Sequence, residues 1–86
     1  MNASQARTFR KLAQTLTKLD VPYKYIVYED FLEGYECYWM PFTHDEKVFI
    51  VYLYSDSSLI TINNKQYAGF LHNQILPFLT ENHFGG

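Results

Sequence analysis

The chain opens with apolar residues at helical spacing. Phe9, Leu12, Ala13, Leu16 and Leu19 recur three and four apart, which predicts an amphipathic helix over residues 4–19. Asn2 or Ser4 can cap its start, and Asn2 with Gln5 has capping-box spacing, with Asn in place of Ser or Thr. Asp20-Val21-Pro22 ends it, because the residue before a proline is pushed out of the helical region. At about 100° per residue, Arg7, Lys11, Gln14 and Lys18 form a stripe opposite Phe9, Leu12 and Leu16. The helix has an apolar side and a basic side.

From Tyr23 the period changes to two. Residues 23–28 are rich in β-branched and aromatic side chains and predict a strand. Residues 29–34 read as a turn with Gly34 available for positive φ, and residues 35–40 as the returning strand, closed by Pro41. A polar connection at 42–46 leads to the strongest strand, residues 48–54, which carries no charge on either face. A turn at 55–57 precedes a strand at 58–62, and Asn63-Asn64 suits a tight turn with left-handed residues, leaving open a short fifth strand at 65–67. Tyr67, Phe70, Leu71, Gln74, Ile75, Phe78 and Leu79 return to helical spacing. Pro77 lies inside that set and removes a backbone donor, so this helix is expected to kink or break there, with Gly69 weakening its first turn. The expectation is a single α+β domain over residues 1–86 in the order α-β-β-β-β-α. Its sheet is a four-stranded, mainly antiparallel meander, and residues 82–86 form a flexible tail.

Residues 48–54 say most about surfaces. Val48, Ile50, Tyr52 and Tyr54 face one way and Phe49, Val51 and Leu53 the other, so both faces need cover. If two helices cover the same face, the second face needs a partner. The aliphatic side suits helices. The tyrosine side, with Tyr23, Tyr25, Trp39, Tyr52 and Tyr54 as candidates, suits another protein, since amphipathic aromatics populate interface cores.

Composition reinforces this picture. Eight Tyr, seven Phe and one Trp are many aromatics for the core of an 86-residue chain. The net charge of −2 is a cancellation. Residues 1–24 hold Arg7, Arg10, Lys11, Lys18 and Lys24 against Asp20 alone, while the remainder holds Lys47 and Lys65 against eight acids. One cysteine closes no intramolecular disulfide, the N-terminus has no apolar signal segment, and no apolar run is long enough to span a bilayer. A cytoplasmic protein is expected.

Chemistry is sparse. His44, Asp45 and Glu46 are adjacent, and adjacent side chains on an extended segment point apart. Cys37 and His44 would make a nucleophile pair only if the fold joined them, and His72 reads as a surface or boundary residue. No glycine-rich phosphate loop, paired-histidine spacing or nucleophile elbow occurs. No enzyme activity, cofactor, metal or small-molecule substrate is expected. The terminal Gly85-Gly86 resembles the diglycine of ubiquitin-like carriers, but those folds open with a hairpin and this chain with a helix.

Two binding features compete. The acidic segment places Phe31 and Leu32 among Glu29, Asp30, Glu33 and Glu36, an apolar anchor ringed by charge that favours a partner with a basic rim or a second copy. The basic helix face, Arg7, Arg10, Lys11 and Lys18, could instead hold a phosphate backbone. The α–strands–α order is similar to that of the double-stranded RNA-binding domain. That family carries a lysine cluster at the start of its second helix, where residues 64–71 here hold one lysine. In size and element order the chain also resembles small acidic α+β proteins of phages and mobile elements, anti-CRISPR proteins among them. The reading is a small protein-interaction or inhibitory module, as a homodimer or with another protein. It acts through Trp39, Tyr52, Tyr54 and the acidic segment; a nucleic-acid accessory role for the first helix is the alternative.

Overall fold

The structure, a computed structural model, describes the backbone of residues 1–30 and 35–85 and the side chains of residues 1–25 and 37–85. Helix α1 (Ala3–Lys18) is followed by strands β1 (Ile26–Asp30), β2 (Tyr35–His44), β3 (Lys47–Leu53), β4 (Ser58–Ile62) and β5 (Lys65–Phe70). A 3₁₀ turn (His72–Gln74), helix α2 (Ile75–Leu79) and a π-helical turn (Thr80–Phe84) end the chain. The expected order of helix, antiparallel meander and helix is present, and the strands lie in one open sheet in chain order, each antiparallel to the next.

Helix α1 begins as its sequence dictates. Asn2 Oδ1 accepts from the Gln5 backbone N–H at 2.8 Å and Gln5 Oε1 accepts from the Asn2 N–H at 2.9 Å, which completes the capping box. Both side chains also hold the start of the helix to the sheet. Asn2 Nδ2 donates to the Ser55 carbonyl and the buried Gln5 Nε2 to the Leu53 carbonyl. At the other end Asp20 adopts φ 56°, and the Val21 N–H reaches back to the Leu16 carbonyl at 2.9 Å. That wrapped end satisfies an otherwise orphaned carbonyl and buries Val21 before Pro22 leads away.

The strands differ from expectation in three places before β4. Tyr23 makes only an isolated bridge to Phe42, and β1 starts at Ile26. Pro41 does not close β2, which runs on to His44. The Pro41 carbonyl accepts from the Lys24 N–H, so its nitrogen points the same way, towards a stretch where β1 has not begun. The ladder between β2 and β3 therefore loses no donor. The turn that follows is two residues long, Asp45 at φ 53° and Glu46 at φ 64°, not a polar loop over 42–46. Asn63 (φ 50°) and Asn64 (φ 70°) make the left-handed turn their sequence suggests, and β5 follows it.

Strand β5 explains a misleading spacing. Tyr67 pairs with Ile60 and Phe70 with Ser58, so Ala68 and Gly69 of β5 stand against Leu59 alone of β4 across a bulge. Gly69 supplies the extra residue at φ +88°, a conformation that L side chains rarely adopt. The three-residue step from Tyr67 to Phe70 thus belongs to a bulged strand. The sheet has five strands, the four expected and the one left open, which runs beyond Tyr67 to Phe70. The C-terminal helix starts only at His72 and is broken, as Pro77 suggested. Pro77 itself sits in the first turn of α2, where a missing N–H costs least.

One face of the sheet contributes Tyr38, Met40, Phe42, Phe49, Val51, Leu53, Ile60 and Ile62 to a single buried cluster. Leu12 and Leu16 of α1 and Ile75 and Leu79 of α2 belong to the same cluster, so both helices lie on that face. In place of a loose tail, the π turn lays Phe84 against Phe42 at 6.0 Å, with His44 and Phe49 alongside. The reason is apolar area: Phe84 covers the end of the face beyond α2. His83 packs on Phe49 and Phe78, and burial, helped by Lys47, pushes its pKa below the ordinary imidazole value.

His72 is buried and not the surface residue its sequence position suggests. Its Nε2 lies 2.7 Å from the Tyr54 carbonyl and 3.1 Å from the Ser57 carbonyl, so this nitrogen carries the proton and donates. Its Nδ1 meets Ser4 Oγ at 2.6 Å. One imidazole thereby joins the start of α1, the turn between β3 and β4, and the C-terminal segment.

Candidate functional site: the open face of the sheet

Strand alternation places a second set of side chains on the face away from the helices. Register aligns Trp39 with Tyr52 and Leu59, Pro41 with Ile50 and Thr61, and Thr43 with Val48. Cys37 and Tyr54 extend this face at the end nearer the β1–β2 connection. Trp39 and Tyr52 meet edge to face, 5.0 Å between centroids. Trp39, Pro41, Ile50, Tyr52 and Leu59 are half-buried by one another, while Val48 is 51% and Tyr54 38% exposed. No charged side chain is among these ten residues. Among the described residues, both helices and the π turn pack on the opposite face.

A small polar knot stiffens one end. Trp39 Nε1 donates to Cys37 Sγ at 3.2 Å, and the Tyr54 hydroxyl lies near the same thiol. Burial pushes the Cys37 pKa up, with Trp39 and Tyr54 opposing it, and burial next to Cys37 raises that of Tyr54. The thiol stays protonated and fixes the indole and phenol rings, whose apolar bodies form the surface. His44 stands seven residues along β2 on the other face, roughly 23 Å away by strand rise, so the fold does not make a Cys37–His44 pair. Asp45 and Glu46 occupy the left-handed turn and are exposed, while the His44 ring packs on Phe84.

Of the aromatic candidates, the structure brings Trp39, Tyr52 and Tyr54 together on the open face. Tyr23 and Tyr25 are not part of it. Tyr25 stacks between Phe9 (4.5 Å) and Tyr38 (5.8 Å), and Tyr23 packs beside Phe9, both on the side covered by α1. Phe31, Leu32 and Glu33 lie outside the described residues. Glu29 and Asp30 end β1 opposite Glu36 and Tyr35, and the side chains of these four also lie outside the described set. Arg7, Arg10, Lys11 and Lys18 are exposed on the outer side of α1, away from the sheet. Sequence reasoning missed Leu59, Pro41 and Thr61 as members of the open face. Alternation along β4 carries the first and third, but only with its register to β3 in hand.

No helix among the described residues is long and apolar enough to cross a membrane. The comparisons with known proteins add no family. No protein-family model, no curated protein and no solved structure matches the chain.

Proposed function

We propose that this chain is a non-catalytic protein-interaction module, a small regulatory or inhibitory binder, whose contact surface is the open face of its sheet. One observation carries the reading. Both helices share one side of the sheet and, among the described residues, leave Trp39, Pro41, Val48, Ile50, Tyr52, Tyr54 and Leu59 as an apolar and aromatic surface on the other. Antiparallel sheets with one solvated face normally alternate apolar with polar residues, and β3 does not. Large exposed apolar patches on soluble proteins mark contact sites, and Trp and Tyr supply the anchoring contacts.

The test is a pair of charge insertions, Tyr52→Lys and Leu59→Lys. Both variants should keep the wild-type circular dichroism and melt within a few degrees of it, while losing the wild type's binding of the apolar dye anilinonaphthalene sulfonate. Collapse of the fold in both would mean that this face is part of the protein's own core. The nucleic-acid alternative rests on the four exposed cations of α1. Retention on heparin that disappears on changing Arg7, Lys11 and Lys18 to Glu would favour it over the protein-contact role.

A further inference from the structure

We infer that the groove between α1 and the C-terminal segment is a binding site for a small carboxylate that carries an apolar body and a hydrogen-bond donor. The groove lies on the helix side of the sheet, so the inference stands apart from the reading of the open face. It revises the expectation that no small molecule binds. The two walls come from opposite ends of the chain, where no spacing in the sequence joins them. Three observations carry it.

The first is a cavity with an unused polar group in its wall. The groove encloses about 390 Å³, within the roughly 300–1,000 Å³ range of small-molecule sites. Thr8 of α1 lines it and is only 8% exposed, yet its hydroxyl makes no hydrogen bond among the described residues. A helical threonine can return its hydroxyl to the carbonyl four residues back, as Thr15 and Thr17 do in the same helix. Thr8 does not, and leaving a buried hydroxyl unpaired costs about 1–3 kcal/mol. A ligand oxygen in the groove would accept from it. His72 also lines the groove, but Ser4 and the Tyr54 and Ser57 carbonyls engage both its ring nitrogens, so it serves as wall.

The second is charge. Arg7 and Lys11 stand one turn apart on α1, and both line the groove beside Thr8. Glu81 lines it from the C-terminal segment. Among the described residues no ion pair joins these three side chains to each other or to a neighbour. The planar guanidinium of Arg7 and the ammonium of Lys11 match a carboxylate, and Thr8 adds a third donor. Glu81 only accepts, so it suits an ammonium or hydroxyl of the ligand. Arg10 and Lys18 line a separate hollow with Phe9 and Tyr23, so the basic stripe is divided between two flanks of the helix.

The third is an apolar stretch in the same groove. Leu76, packed on the core, and Pro77 belong to the C-terminal wall. They offer aliphatic surface to the body of the ligand, which a bare inorganic anion would leave unused while meeting Glu81 with like charge.

Titration of ¹⁵N-labelled protein at constant ionic strength tests the site, with leucine, its α-hydroxy analogue and isocaproate as carboxylates of one carbon skeleton. Leucine and the hydroxy acid should shift amides within 4–11 and 72–81 and bind about five-fold more tightly than isocaproate, which has no donor. Whichever of the two binds more tightly names the donor as ammonium or hydroxyl. Leucinamide, without the carboxylate, and inorganic phosphate should leave these amides unmoved. Arg7→Gln and Lys11→Gln should each weaken binding about ten-fold with circular dichroism unchanged, while Lys24→Gln, an equal change of charge elsewhere, leaves it intact. Thr8→Val should weaken binding several-fold and Thr8→Ser retain it. Glu81→Gln should erase the advantage over isocaproate. Absence of shifts up to about 50 mM of every carboxylate, an equal response to phosphate, or affinity indifferent to Arg7 and Lys11 overturns the site. Any of these leaves the charge-insertion test of the open face unaffected.

Discussion

The two faces of this sheet are built from the same strands and almost the same residue classes, yet they are finished differently. On the covered face Phe49, Val51 and Leu53 are fully buried beneath α1 and α2, and Phe49 stacks on Phe42 at 4.9 Å. On the other, Ile50 and Tyr52 alternate with them along β3, half-buried by neighbours and topped by no described element. Hydrophobicity alone does not separate the faces; coverage does. A residue's burial here follows from which side the helices chose, and the proposed contact role rests on a face left apolar with no described element over it.

The largest test of that contrast compares matched truncations in the monomer. Phe49→Ala should cost about 3–5 kcal/mol of unfolding free energy, because it leaves a cavity in a closed core. Tyr52→Ser should cost about 1 kcal/mol or less in urea melts. Comparable losses for both would erase the distinction.

Next in size is His72→Ala, at about 2 kcal/mol, since it removes a buried ring and takes the donor from the Tyr54 carbonyl, while the Ser57 carbonyl keeps the Tyr54 N–H. Because the ring also holds Ser4, amide exchange should accelerate both at the start of α1 and in the 54–57 turn, sparing the open face around Ile50. Asn2→Ala follows at about 1 kcal/mol, through the loss of the cap and its bond to Ser55. Smallest, and opposite in sign, is Glu46→Gly. Relief of a left-handed residue in the β2–β3 turn should raise stability by about 0.5 kcal/mol in the same melts.

Much of this arrangement was legible in the residues. The period of α1, its Asn2–Gln5 cap, the double-sided apolar pattern of β3 and the Asn63-Asn64 turn are local features, and local physics fixes them. What escaped depends on contacts distant in sequence. Pro41 looks like a strand terminator until Lys24 shows that its missing donor falls on an unpaired side. The Tyr67–Phe70 step looks helical until the bulge at Gly69 places both residues opposite β4. His72 has polar partners 15, 18 and 68 residues away, which no spacing rule encodes. For the site, Tyr52 and Tyr54 could be grouped from β3 alone. Excluding Tyr23 and Tyr25 required knowing that Phe9 of α1 packs on them.

The central claim, that this face lies outside the monomer's own core, can be read from one side chain. The chain has a single tryptophan, and Trp39 sits in the middle of that face against Tyr52. Iodide quenching of its fluorescence should be efficient in dilute protein. Quenching as weak as that of a buried indole would mean that the chain itself closes over the face, and would contradict the claim.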